Sequence, residues 1–273
     1  MQKGLSRALA TTSVLAALSR PLRAEVDKSG PNPGARAEGA APGGVATVGL
    51  AQELYATGTA QGDAITVLAA ARLAASVAVT TAEAGGLDPA PFETGPDLMT
   101  FATRKSGGPD PATPEPIMAA GPRAAAKASF FSAASDDEGA ADAPATAEAM
   151  FAKARELAAG DEALLGLIDD ATAEGPRGRT GDAVQWLSRL PAGQTDLWEV
   201  PFFGNSYAEV AIIGDGDANL DVAVTDENGN LICSDVSWSD QLYCDFTPAR
   251  DGYFHITVQN LGGARNSYYL MTN

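Results

Sequence analysis

The alternation of apolar and polar side chains is clearest in the last hundred residues. Leu220, Val222 and Val224 alternate with smaller or more polar neighbours over residues 220–225, which is the period-two pattern of a strand with one buried face. The following Asn228-Gly229 pair favours the positive φ angles of a two-residue hairpin turn. This stretch therefore predicts a strand followed by a tight turn, around which the rest of the C-terminal region can be arranged.

Similar runs recur about every ten residues from residue 180 to the end, separated by Gly, Asn and Asp turn signals. This spacing is typical of an all-β antiparallel sandwich or barrel, and we assign it to residues 180–273. The predicted strands are Val184–Leu187, Asp196–Phe203, Tyr207–Gly214, Leu220–Asp226, Leu231–Val236, Gln241–Thr247, Tyr253–Asn260 and Ser267–Thr272.

Apolar residues at helical spacing predict two Ala-rich helical hairpins, over residues 45–82 and 146–175. The helices predicted in the first are Val48–Thr57, ended by a break from Gly58 to Gly62, and Ala64–Val79, capped by Asp63. Those in the second are Ala147–Ala159, capped by Thr146, and Glu162–Ala173. Each pair has a Gly-Asp break between its helices. We expect either a small four-helix bundle or two independent hairpins. The predicted fold class is thus α + β, with helical hairpins followed by the sandwich.

The remaining segments have compositions that do not support a packed core. Residues 25–44 are rich in Gly, Pro, Ala and charge and indicate a linker. Residues 83–145 contain nine of the 17 prolines and predict a disordered linker. Residues 1–24 combine two early basic residues with a modest apolar run and resemble a secretory signal peptide. The alternative for residues 1–24 is a disordered basic arm.

The charge of the chain excludes some classes of partner. The net charge is −17, and removal of residues 1–24, which hold four basic residues and no acid, makes it −21. Such a field repels nucleic acid and anionic membrane surfaces. No later apolar run is long enough for a membrane span. We therefore expect an exported protein, periplasmic or secreted, with no nucleic-acid partner.

The two cysteines, Cys233 and Cys244, lie in neighbouring predicted strands. If those strands form a hairpin, Cys233 faces Cys244 within reach of a disulfide. Such a bond fits an extracytoplasmic compartment. The alternative is a pair of buried free thiols.

The C-terminal motifs resemble one known family. Asn219-Leu220-Asp221-Val222-Ala223-Val224, then Asp226-Glu227-Asn228-Gly229, then Gly252-Tyr253-Phe254-His255-Ile256-Thr257-Val258, then Tyr268-Tyr269-Leu270 resemble bacterial pre-peptidase C-terminal domains. The resemblance covers about 90 residues. It implies a jelly-roll-like, extracytoplasmic and non-catalytic sandwich that serves secretion, stability or binding. Members usually accompany a secreted hydrolase, and no hydrolase precedes the sandwich here.

An acidic cluster around the central strand is the best candidate for a metal site. Hard oxygen ligands at this density suit Ca²⁺, and the family resemblance also implies calcium near such a strand. The alternative is turn chemistry, in which Asp and Asn close loops. The candidate calcium ligands are Asp215, Asp217, Asn219, Asp221, Asp226 and Asn228.

Other candidate chemistry is sparse. Trp238, between the two cysteine strands, is a candidate contact for a sugar or a protein partner, or it folds over the strand ends. His255 is the only histidine, and no nucleophile motif accompanies it. We therefore predict a non-catalytic binding or structural protein whose partner is an envelope protein or a polysaccharide. The alternatives are a carboxylate-dependent accessory hydrolase and a structural subunit of an envelope assembly that uses the helical hairpins.

Overall fold

The computed structural model describes residues 28, 30–32, 43–86, 128–132, 143–174 and 182–273. The predicted signal peptide and most of the predicted linkers lie outside these ranges. None of the helices within them is both long enough and apolar enough to span a bilayer.

Within these ranges four helices precede residues 182–273 of the sandwich, and all four contribute to one apolar core. The bundle alternative is therefore confirmed over that of two independent hairpins. Asp63 and Thr146 cap their helices as predicted, each accepting a backbone N–H. The helices are α1 (Gly44–Gln61), α2 (Ala64–Ala75), α3 (Ala147–Leu157) and α4 (Glu162–Glu174).

The break predicted from Gly58 to Gly62 is confirmed only at its end, because Gly58 lies inside α1, which continues to Gln61. A Cβ at this position would lie 2.8 Å from Val67 Cγ2 of α2. Gly58 therefore permits a close approach of two helices. The actual stop is Gly62, which adopts a left-handed conformation with φ of 66°, as helix ends commonly require.

Three short strands appear where the sequence indicated helix or linker: β1 (Ala78–Thr81), β2 (Gly85–Gly86) and β3 (Ser129–Ser132). β1 begins in the last two residues of the predicted second helix, Ala78 and Val79, and continues through Thr80-Thr81. Val79, Thr80 and Thr81 are β-branched and favour strand. β2 and β3 fall in the predicted disordered linker. All three join the edges of the sandwich, so their pairing depends on residues distant in sequence.

All eight predicted strands of the sandwich are confirmed, with ends that differ by at most a few residues. They are β4 (Asp182–Leu190), β5 (Thr195–Phe202), β6 (Ala208–Gly214), β7 (Leu220–Asp226), β8 (Leu231–Asp235), β9 (Gln241–Phe246), β10 (Gly252–Asn260) and β11 (Asn266–Thr272).

The strands form two sheets. The five-stranded sheet has the order β1-β4-β11-β6-β9, and the six-stranded sheet has the order β2-β3-β5-β10-β7-β8. Among the strands of the described residues, β1–β4 and β2–β3 pair in parallel and the others are antiparallel. The inner faces share one core that includes Trp198, Phe254 and Tyr268.

The turn after β7 differs from the predicted two-residue turn. Gly229 has φ of 77°, whereas Asn228 is not among the residues with positive φ. The Asp226 N–H donates to Asn230 O, and Gly229 N donates to Asp226 O. These bonds close a three-residue loop ending in a left-handed glycine, the next commonest hairpin connection.

Helix α1 covers the outer face of the five-stranded sheet. Val45 and Val48 pack there with Ala211, Ile213 and Met271. Strand β6 is consequently buried on both faces, and all seven of its residues are inaccessible. The predicted half-buried β7 is also buried throughout.

Candidate functional site

The six predicted calcium ligands do not form one cluster, because they lie at opposite ends of β7. Asp215, Asp217, Asn219 and Asp221 are at its start, and Asp226 and Asn228 are at its end. Even the nearest members, Asp221 and Asp226, are five positions apart along the strand, which is roughly 17 Å. We call the first end the Trp end, formed by loops 215–219, 236–240 and 261–265. The second is the strap end, formed by turn 227–229 and loop 247–251.

The acids at the Trp end mainly close their own loop. Asp215 Oδ1 accepts from Asp217 N at 3.1 Å, and Asp215 Oδ2 accepts from Ser267 N at 2.7 Å. Asn219 Nδ2 donates to Asp221 Oδ1 at 3.2 Å. Burial raises the pKa of both the Asp215 and the Asp221 carboxyl. Across the described ranges, no three or more His, Cys, Asp or Glu side chains group as a metal site would require. A calcium site stays a prediction, restricted to this half of the set.

Asp226 and Asn228 instead hold an N-terminal segment, Lys28 with Gly30–Asn32, which we call the strap. Asp226 Oδ2 accepts from Asn32 N at 2.7 Å, while Oδ1 accepts from the backbone of Asn228 and Asn230. Asn228 Nδ2 donates to Lys28 O at 2.7 Å and to Gly30 O at 3.1 Å. These side chains recognise backbone atoms about 200 residues away.

Asn32 is fully buried, and its side chain is bonded on both sides. Its Nδ2 donates to Glu227 Oε2 at 2.9 Å, and its Oδ1 accepts from Arg250 N at 3.0 Å. Gly252 leaves the space for this amide, since a Cβ there would lie 2.6 Å from Asn32 Nδ2. The strap end therefore binds the side-chain amide of Asn32 as well as the backbone of the strap.

Arg250 completes the strap end. Its guanidinium lies 3.0 Å from Glu227 Oε1, with both side chains at or below 10% exposure. The same group donates to Lys28 O at 2.9 Å and to Gly30 O at 2.8 Å. Nothing in the local sequence pattern indicated the roles of Asn32 and Arg250, because both depend on a partner distant in the chain.

Trp238 is the most exposed large apolar side chain at the Trp end, with 98% of its surface accessible. The flanking residues are nevertheless tethered. Leu220 N donates to Ser239 O at 3.1 Å, and Gly214 N donates to Asp240 O at 2.9 Å. Asp240 Oδ2 accepts from Gly216 N at 2.7 Å. The predicted alternative, in which the indole folds over the strand ends, is wrong.

The disulfide between Cys233 and Cys244 is present, with Cα atoms 6.4 Å apart, but the predicted hairpin around it is wrong. β8 pairs with β7 in the six-stranded sheet, whereas β9 pairs with β6 in the five-stranded sheet. The bond therefore joins the edges of the two sheets. Alternation places both cysteines on a core-facing side of their strands in either arrangement, so it could not distinguish a bond between two sheets from one within a hairpin.

Two further exposed apolar residues belong to the loops and strand ends near Trp238. Leu261 is 52% exposed and Val236 is 41% exposed. The Leu261 N–H donates to Asn219 O at 3.2 Å, which connects its loop to the acidic one. The Trp end thus combines an exposed indole, smaller apolar groups and several carboxylates.

A second cluster missed by the sequence analysis centres on Glu209 at the strap-end start of β6. Glu209 is fully buried, and its Oε1 accepts from Gly43 N at 3.0 Å and from Tyr243 Oη at 2.8 Å. It therefore holds the start of α1, where no side chain of α1 provides a cap. The signal was available, since a charge interrupts the apolar run of β6.

The described residues that a hydrolase could use for catalysis are buried or already bonded. His255 Nε2 lies 3.5 Å from Glu199 Oε2, and His255 is only 8% exposed. Both cysteines are in the disulfide. A buried hydroxyl network, in which Ser188 and Tyr268 donate to Asp196 Oδ2 at 2.6 and 2.7 Å, lies within the sandwich. Its burial makes it a structural feature of the core.

No protein-family model matches the sequence, and no curated protein matches it. Among solved structures, the chain is similar to the pre-peptidase C-terminal domain of a collagenase from Bacillus anthracis. That similarity has 10% identity over 34% of this chain and 75% of that chain, with a TM-score of 0.24. It is also similar to the C-terminal CBM6 domain of LamC, a marine laminarinase from Zobellia galactanivorans. Identity there is 9% over 32% of this chain and 87% of that chain, with a TM-score of 0.20. The first belongs to the family that the C-terminal motifs resemble.

Proposed function

We propose that the protein is an exported, non-catalytic binding protein whose Trp end recognises a neutral polysaccharide. The observation that carries this proposal is the 98% exposure of Trp238 on a loop held at both flanks. An indole presented in this way has no packing role in the described structure. It offers a flat apolar face, and the loop backbone that carries it is held in place before a ligand arrives, which lowers the cost of ordering the loop on binding.

The surroundings of the indole supply the polar contacts that a sugar needs. Carboxylates of Asp217 and Asp240 belong to the adjoining loops, and carboxylates accept hydrogen bonds from hydroxyl groups. Leu261 and Val236 extend the apolar surface. A stacking face with acceptors around it fits a sugar ring better than it fits a purely apolar partner.

The charge of the chain narrows the class of polysaccharide. A net charge of −17 and several acids at the Trp end disfavour uronic-acid or sulfated polymers. We therefore assign a neutral glycan as the ligand class. An envelope protein with a basic surface is the alternative partner, and salt dependence distinguishes it, because that interaction weakens as salt is added.

The strap supports an orientation for this binding. The strap is bound at the end of the sandwich opposite Trp238, because Asn32 and Lys28 contact residues of the strap end. Its contacts therefore leave the Trp end unobstructed. The exported state itself rests on the predicted signal peptide and the disulfide.

The test uses the full chain and tryptophan fluorescence. Trp186 and Trp198 are buried at 8% and 1% exposure, so a shift of the emission to shorter wavelength on glycan addition reports Trp238. We expect the shift with dextran or a soluble β-glucan and not with polygalacturonate. Binding by the variants is measured by isothermal titration calorimetry, because Trp238→Ala lacks the reporter indole. Trp238→Ala removes binding, whereas Phe203→Ala, which removes an aromatic side chain 76% exposed at the strap end, retains it. Equal binding by both variants, or no response to any neutral glycan, would overturn the proposal.

A further inference from the structure

A cavity of about 390 Å³ lies between the helical bundle and the five-stranded sheet. Helices α1 and α2, the start of α3, and strands β1, β4 and β11 contribute to its wall. Most of that wall is apolar, with Val48, Val77 and Met271 among its residues. The volume lies within the range of about 300–1,000 Å³ that is typical of small-molecule sites. This cavity is separate from both the Trp end and the strap end.

Gln52 places one unused acceptor in this wall. The residue is only 8% exposed, and its Nε2 is fixed by a 2.7 Å hydrogen bond to Ala145 O. Within the described ranges its Oε1 receives no hydrogen bond, and this oxygen is not among the buried polar atoms sealed from solvent, so it is accessible as an acceptor. A ligand with a hydroxyl donor would satisfy this atom. Tyr269, also in the wall, is a second residue of the lining with a polar group.

The charge of the wall selects against an acid. The lining residues include no Lys or Arg, and the exposed Glu148 stands at the rim. A carboxylate ligand would therefore lose hydration without gaining a cation. A neutral head group avoids that loss, while an aliphatic chain gains from burial against the valines and Met271.

We propose that this cavity binds an uncharged aliphatic amphiphile, with its hydroxyl on Gln52 Oε1 and its chain against Val48, Val77 and Met271. Because the wall is built from both the bundle and the sheet, the ligand contacts both parts of the fold. Binding then stabilises the folded chain according to the ligand concentration and its affinity. The inference is independent of the glycan proposal and uses none of its residues.

The first experiment is methyl NMR on the intact chain, titrated with 1-octanol and, separately, with octanoate. Met271 lines the cavity, whereas Met150 is fully buried in the bundle core and is absent from the cavity wall. We expect a saturable shift of the Met271 methyl signal with octanol, little change at Met150, and a much weaker response to octanoate. Failure of Met271 to respond to octanol, or equal binding of octanoate, would overturn the proposal.

Variants test the two parts of the site. Ala75→Phe fills the cavity, because Ala75 is part of its wall, and should abolish the rise of Tm with octanol. Ala56→Phe adds the same bulk to an exposed position of α1 and should leave that rise unchanged. Gln52→Met should weaken octanol binding by about tenfold, as expected for one lost hydrogen bond. If Ala75→Phe does not fold, Gln52→Met with the Met271 signal decides, and unchanged octanol affinity in that variant contradicts the assigned head-group contact.

Discussion

The side-chain amide of Asn32 donates a 2.9 Å hydrogen bond to Glu227 Oε2 across 195 residues of sequence. The backbone N–H of Asn32 donates to Asp226, and its carbonyl oxygen accepts from Ala249 N at 2.6 Å. The strap is therefore an integral part of the sandwich, although its composition indicated a linker. The buried strap provides hydrogen-bond partners for Asp226, Glu227 and Arg250, which would otherwise have to be hydrated.

Asn32→Ala should lower the free energy of unfolding by about 2–3 kcal/mol. The substitution removes the donor to the buried carboxylate of Glu227, and hydrogen bonds to charged groups contribute roughly 1.5–3 kcal/mol. Denaturant unfolding of the full chain measures the change. Gln61→Ala, at an exposed position of α1, is the control and should change stability by less than about 0.5 kcal/mol.

Asn32→Asp gives a sharper test of the same contact. The new carboxylate would face Glu227 and Asp226, so we expect greater destabilisation than with alanine at neutral pH. Acidification should reduce the difference between the two variants, because protonation removes the repulsion. If alanine and aspartate have equal effects at every pH, the strap is not bound through this amide.

Glu209→Gln should destabilise the junction between α1 and the sandwich. Its carboxylate accepts from Gly43 N at the start of α1, where negative charge is favoured by the helix dipole. We expect a loss of about 1 kcal/mol in thermal unfolding. Glu148→Gln is the matched control, since Glu148 lies in the first turn of α3 but is exposed. A loss at Glu209 no larger than at Glu148 would show that burial adds nothing to this contact.

Local patterns predicted the sandwich strands well because alternation records which side chains face the core. The assignment of β8 and β9 to different sheets could not follow from them, since it depends on β6 and β7 as competing partners. Gly58 is a second example. Glycine usually breaks a helix, but Gly58 stays inside α1 because a residue without a Cβ is required for close packing against Val67. The separation of the candidate calcium ligands into two groups and the binding of the strap could not be predicted either, since both depend on contacts between segments distant in sequence.

Calcium, if bound, should depend only on the acids of the Trp end. Asp226 and Asn228 are occupied at the strap end, roughly 17 Å or more away along β7. We therefore expect a rise of Tm with calcium over a chelator that Asp217→Asn removes and Asn228→Ala leaves in place. Identical melts with calcium and chelator would reject the site. Loss of the calcium response in both variants would contradict the division of the cluster.

The tyrosines predict a loss of stability at alkaline pH. Burial raises the pKa of the Tyr268 hydroxyl well above its ordinary value, and it also raises the pKa of Tyr207, Tyr243 and Tyr269. Because the folded-state pKa exceeds the unfolded one, this stabilisation is complete below about pH 10 and is lost as pH rises above it. Unfolding at a series of pH values should show a constant contribution near neutrality and a decline above about pH 10. Tyr243→Phe should make that decline less steep, and an unchanged slope would contradict the assignment.

Reduction of the Cys233–Cys244 bond should affect both stability and the recognition loop. The bond joins the edges of two sheets and closes a loop of 11 residues in sequence separation, so its loss should cost roughly 3 kcal/mol in the chain-entropy account. The same loop carries Trp238, whose presentation depends on β8 and β9 being held together. A Cys233→Ser, Cys244→Ser double variant should therefore bind neutral glycan more weakly than the oxidised chain even where both are fully folded. Glycan titrations at a temperature well below either Tm separate the two effects. Equal affinity there would mean that the hydrogen bonds of Ser239 and Asp240 position the indole without help from the disulfide.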